Sequence, residues 1–136
     1  MENQLDIRNA ALEKLAAERT ETCLWDCVAA FQNLPFQTAS GLPFRYQLKV
    51  GRNGSYNKEL LIDRRKESKS LAWSSVLLAF RTVVESEKGV FFADRPKALG
   101  DIRGVSYIYP LFYRFGLILV PDKIKEKLED TLEDTL

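Results

Sequence analysis

The side chains with the most evident chemical potential stand in one stretch, KVGRNGSYNKELLIDRRKESKS, at positions 49–70. Within it, Asp63 precedes Glu67-Ser68-Lys69. A carboxylate upstream of a Glu-x-Lys triplet can hold Mg²⁺ and activate a water against a phosphodiester. Here the spacing is too close for a strand-borne site of that kind, so a metal-dependent nuclease is only a remote possibility. The rest of the inventory is poor in catalytic groups. The chain has no His, which removes every Ser–His or Cys–His nucleophile pair. It has no phosphate-loop spacing and no dinucleotide-binding glycine pattern. Cys23 and Cys27 fall on one face of a helix, but zinc needs further Cys or His ligands, and a disulfide within one helical turn would strain the backbone. They read as two buried thiols. The expectation is a non-enzymatic protein with no cofactor and no metal.

The same stretch carries seven Lys or Arg against three Asp or Glu. Such a run suits a polyanion, because Lys and Arg bind nucleic acid by displacing counterions from its phosphates. Arg52 and Lys58 flank a turn signal, Asn53-Gly54. Arg64, Arg65, Lys66 and Lys69 lead into the next helical segment, whose first N–H groups also favour anions. Arg95, Lys97 and Arg103 extend the set. These nine residues are the candidate nucleic-acid contacts, for DNA or RNA. The competing reading is local: on a hairpin, Glu59 and Asp63 lie opposite Lys49 and Arg45 and can neutralise them across the strands. A second candidate, the aromatic run Tyr107, Tyr109, Phe112, Tyr113 and Phe115, has ring faces on which bases could stack, but the spacing of Phe112 and Phe115 reads better as core.

The elements that must position these residues follow from pattern. Residues 3–33 contain no Gly or Pro and carry a drifting apolar stripe (Leu5, Leu12, Leu15, Leu24, Phe31), which predicts a long N-terminal helix; Thr20 or Thr22 can cap a break in it. Residues 44–50, FRYQLKV, alternate strictly between apolar and polar, and ELLIDR at 59–64 returns with Leu60 and Ile62 on the apolar side, so a β-hairpin is expected about the Asn-Gly turn. Residues 68–89 predict the core helix, capped by Ser68 or Ser70 and closed by Gly89, with Trp73, Val76, Phe80 and Val83 on one face. VFF at 90–92 and LILV at 117–120 predict short strands, and 105–116 a short aromatic-rich helix constrained by Pro110. From Asp122, Ile124, Leu128, Leu132 and Leu136 recur every four residues as a C-terminal helical arm.

Net charge is +1 over the 136 residues, yet it is segregated. Residues 1–37 and 121–136 each carry three basic and six acidic residues, whereas 38–120 carry fourteen and seven. A chain of this length can bury roughly two thirds of its unfolded surface, and fifteen aromatic residues can furnish a core. The expectation is a single α+β domain over 1–136, with an acidic N-terminal arm (1–37), a basic body (38–120) and an acidic C-terminal helix or frayed tail. Its leading function is nucleic-acid binding through the basic hairpin and the start of the following helix. The alternative is a protein partner, or a homodimer, engaged through the acidic amphipathic terminal helices. No apolar run reaches the roughly 20 residues of a membrane span, and a cytoplasmic address is expected.

Overall fold

The computed structural model describes residues 3–64, 67–86 and 90–133. Among these it is an α+β fold with five α-helices, six strands and one 3₁₀ turn. The N-terminal helical run is two helices, α1 (Gln4–Glu18) and α2 (Glu21–Ala30). Arg19 turns left-handed with φ of 48°, and its N–H donates to the Leu15 carbonyl. Thr20 then caps α2, its hydroxyl accepting from the Cys23 N–H at 3.2 Å. Of the two threonines proposed as break points, Thr20 is the one that breaks the helix.

The hairpin forms about the Asn-Gly pair as expected. Strand β2 (Pro43–Val50) pairs antiparallel with β3 (Tyr56–Arg64), with a bulge between Leu48 and Val50. Gly54 adopts φ of 84°, which a residue with a Cβ rarely takes, and the Asn53 side chain accepts from the Ser55 N–H. Strand β1 (Phe36–Gln37) adds to β2 on one side.

On the other side the sequence reading needs correction. Residues 68–72 are not the first turn of the core helix. They form strand β4 (Ser68–Ala72), antiparallel to β3, and α3 (Trp73–Val84) begins only afterwards. Ser68 and Ser70 are therefore ladder residues, not caps. The physical reason is local alternation: Leu71 turns into the core while Ser68, Lys69, Ser70 and Ala72 stay exposed. A nine-residue β3 also offers a full ladder to a second neighbour. The helix ends at Glu85, whose N–H reaches Arg81 and Val83 carbonyls; the expected closing residue, Gly89, lies outside the described residues.

The strand order is β1-β2-β3-β4. The two other short strands, β5 (Phe91–Phe92) and β6 (Ile118–Leu119), pair with each other, parallel, as a separate sheet. Helix α4 (Val105–Arg114) includes Pro110 in its interior. A proline there frees the carbonyl four residues earlier, and that residue, Ser106, is exposed to water. Gly116, at φ of 78°, then closes the helix. Helix α5 (Asp122–Glu133) packs back onto β1. The core runs from Leu15, Leu24, Cys27 and Phe31 through Tyr46, Leu60 and Ile62 to Phe80, Ile108, Tyr109 and Phe112, all at most 5% exposed. No helix among the described residues is long and apolar enough to cross a membrane.

Candidate nucleic-acid interface

The alternation of β2 and β3 decides which cations can meet a ligand. Phe44, Tyr46, Leu48, Leu60 and Ile62 are buried on the inner face. The outer face is polar but largely engaged with itself. Lys49 Nζ lies 3.1 Å from Glu59 Oε1. Ser70, on β4, donates its hydroxyl to the other oxygen of Glu59. Together these hold the Glu59 carboxyl below its ordinary range, with the Ser70 bond the larger cause. Arg45 stands opposite Asp63 in the ladder and donates to the Asn33 carbonyl at 2.7 Å. Of the two cross-strand ion pairs expected, Lys49–Glu59 forms, whereas Arg45 and Asp63 make none among the described residues.

Two of the candidate contacts are engaged within the chain. Lys58 Nζ sits 3.7 Å from the centroid of the Trp25 ring and 5.4 Å from that of Trp73. The two rings meet edge to face at 4.8 Å, and Trp73 donates its indole N–H to Glu21. Lys58 thus fastens the hairpin to α2 and α3. Arg64 shares the inward side of the ladder with Phe44, its register partner. It donates to the Tyr107 hydroxyl at 2.9 Å and pairs with Glu67 at 3.1 Å, while its Nε is buried without a hydrogen-bond partner. Arg65 and Lys66 lie outside the described residues.

The remaining candidates are exposed and make no ion pair among the described residues: Arg52 in the hairpin turn, Lys69 on β4, Arg95 and Lys97 at the 3₁₀ turn (Pro96–Leu99), and Arg103 just before α4. Arg103 and β4 are brought together by Gly104. This glycine takes φ of 84° and lies so close to the Leu71 side chain that a Cβ there would overlap it. The result is a cavity of about 270 Å³ lined by Ser70, Leu71, Ala72, Ser75 and Arg103. It sits at the start of α3, whose N-cap, Ala72, supplies no side-chain hydrogen bond. Uncapped N–H groups of a first helical turn attract anions, and an adjacent guanidinium reinforces them. Ser75 was not singled out from sequence, and Ser70 only as a helix cap. The signal that leads to them is the alternation in Ser-Lys-Ser-Leu-Ala, which moves the helix start from Ser68 to Trp73.

The other motifs resolve into structure. Tyr107, Tyr109, Phe112 and Phe115 are buried, and Tyr113 is half-buried with its hydroxyl bonded to Glu129 at 2.5 Å, so the aromatic run lines the core and offers no stacking platform. Asp63 opposes Ser68 in the ladder and Glu67 pairs with Arg64; among the described residues no three His, Cys, Asp or Glu stand together as a metal site. Cys23 and Cys27 are buried free thiols. Cys23 donates to Glu18 at 3.2 Å. Burial, then the charge of Asp26, pushes the Cys27 thiol up to about 12, far from a reactive thiolate. A larger cavity of about 500 Å³ between α1 and α2 is lined by Ile7 and four alanines, with Gln4, Lys14 and Asp26 as its polar groups. The chain matches no family model, no curated protein and no solved structure.

Proposed function

We propose that this protein is a non-enzymatic nucleic-acid-binding module that grips the phosphate backbone of DNA or RNA. The observation that supports it best is the uncapped start of α3 beside exposed Arg103, with Lys69 on the adjoining strand. A phosphate held there meets helix N–H groups, the Ser75 hydroxyl and a guanidinium, the Ser70 hydroxyl being already engaged by Glu59. Arg95 and Lys97 lie in the same chain segment as Arg103 and add attraction along the backbone, and Arg52 contributes from the turn. Lys58 and Arg64 support the surface and do not read the ligand. Nothing in this arrangement points to base readout, so affinity should depend on salt more than on sequence.

Fluorescence anisotropy with single- and double-stranded DNA and RNA, at low and physiological salt, tests the reading. Binding should weaken steeply with salt, and Arg103→Ala and Lys69→Ala should each reduce the log–log slope by about 1. Absence of binding to all four ligands at low salt would overturn it. The alternative, assembly through the terminal helices, retains the exposed Leu5 and Ile7 of α1, 54% and 37% accessible. In the C-terminal helix Leu128 and Ile124 are taken up by the chain's own core, while Leu136 lies outside the described residues.

A further inference from the structure

Two arginines from different helices meet over one buried ring. Phe31 closes α2 and is fully buried. The guanidinium carbon of Arg8, on α1, lies 6.0 Å from the centroid of its ring, and that of Arg114, the last residue of α4, lies 4.9 Å from it. Phe115 meets the same ring edge to face at 5.2 Å. Both arginines are half-buried, whereas the ring beneath them has no exposure at all, so the two charged heads stand between that ring and water. Neither has a counter-ion. Among the described residues, neither guanidinium pairs with a carboxylate or donates a hydrogen bond. Residues one turn away on the same helix are the nearest sources of a partner, and these are Gln4, Leu5, Ala11 and Leu12 on α1 and Pro110 and Leu111 on α4, all uncharged. Burial, and then the charge of Arg8, hold the Arg114 guanidinium below its ordinary value, as expected of like charges kept near each other.

We infer that Arg8 and Arg114 form a binding site for a phosphomonoester group. Each guanidinium carries its N–H donors in a rigid planar fork. A carboxylate offers two oxygens and one charge, which suits a single fork. A phosphomonoester dianion offers three terminal oxygens and up to two charges, so it can present an edge to each fork and cancel both cations. The Phe31 ring attracts the two cations from below, while each head remains half in water and open to a ligand. The site is separate from the start of α3. Arg103 precedes α4 and Arg114 ends it, so the ten-residue helix sets them apart by about 15 Å along its axis. The inference does not rest on the nucleic-acid reading. Both a small phosphate and the 5′ end of a nucleic-acid strand carry this group.

Thermal melting of the full chain at about pH 8, where phosphate is a dianion, tests the site by comparing inorganic phosphate with chloride at equal ionic strength. Phosphate should raise the melting temperature saturably. The rise should persist in Arg103→Ala, which removes the guanidinium beside α3. In that background, Arg8→Ala and Arg114→Ala should each weaken the apparent phosphate affinity by about tenfold or more. Arg8→Glu sets a carboxylate beside Arg114. It should stabilise the chain without phosphate and abolish the response, which distinguishes a filled site from a damaged fold. Equal effects of phosphate and chloride overturn the site. So does a response lost with Arg103→Ala alone, one that outlasts both alanine variants, or one that persists in folded Arg8→Glu. A 5′-phosphorylated oligonucleotide and its 5′-hydroxyl counterpart identify the source. Tighter binding of the phosphorylated strand, lost in Arg114→Ala, assigns the strand end, and equal binding assigns a small phosphate. Failure of both strands to bind, with the phosphate response intact, overturns the nucleic-acid reading and leaves this site standing.

Discussion

At the scale of single residues, a basic side chain means different things depending on what lies within 4 Å of it. Arg64 and Lys69 are five positions apart and were grouped from sequence as equivalent contacts. The fold makes Arg64 a structural residue, bonded to Tyr107 and Glu67, and leaves Lys69 in water. Arg64→Ala should therefore destabilise by about 1–2 kcal/mol, the range for a hydrogen bond to a charged group in a partly exposed setting. Lys69→Ala should stay within about 0.5 kcal/mol of wild type. Urea denaturation of the two variants decides the matter; equal stabilities would show that the Arg64–Tyr107 bond contributes nothing. This difference was not legible in the sequence, because strand parity reports which side a residue faces but not that Tyr107, 43 positions away, sits there to receive it.

At the scale of elements, the legible features were those with a local physical cause. The Asn53-Gly54 turn tolerates positive φ, and the hairpin formed around it. Thr20 can accept from an N–H three residues on, and α2 starts there. The start of α3 was misplaced because serine suits a helix cap and an exposed strand position equally well, and only the pairing of β3 with β4 settles which. The parallel pairing of β5 with β6 was likewise invisible, since their two-residue strands are joined across the whole of α4. The C-terminal segment was expected as an acidic helix or frayed tail. It is a docked helix: Leu128 is 6% exposed, Ile124 packs on the core, and Glu129 accepts from Tyr113. Leu128→Ala should then cost about 2–4 kcal/mol as a buried Leu truncation, and Thr20→Ala about 1 kcal/mol as a lost cap. Thermal melting of each checks both. An unchanged melting temperature for Leu128→Ala would show that the docking of α5 contributes nothing to stability.

At the scale of the whole molecule, three tyrosines tie separate elements together, and their ionisation sets an alkaline limit on stability. Tyr46 of β2 donates to the Val28 carbonyl of α2 at 2.6 Å; Tyr109 of α4 donates to the Ala93 carbonyl beyond β5 at 2.6 Å; Tyr113 of α4 donates to Glu129 of α5. Burial is the main cause that raises each phenol above its ordinary value near 10, with Tyr109 pushed up to about 12 and the carboxylate of Glu129 adding to the shift at Tyr113. A group whose pKa is higher in the fold than in the unfolded chain binds its proton more tightly when folded. Its contribution to stability is full below the unfolded value and is lost as pH rises through the folded one. Stability should thus be indifferent to these groups up to about pH 10 and fall between about 10 and 12. Because the three bonds join separate elements, their loss should be cooperative. Phenolate absorbance and far-ultraviolet circular dichroism recorded along one alkaline titration should show part of the tyrosine signal appearing together with loss of helix. Tyr109→Phe, which removes one ionisable group while keeping its ring in the core, should move that transition upward in pH. Complete tyrosine ionisation near pH 10 with the helical signal intact would mean that none of the three phenols is held as the fold places it.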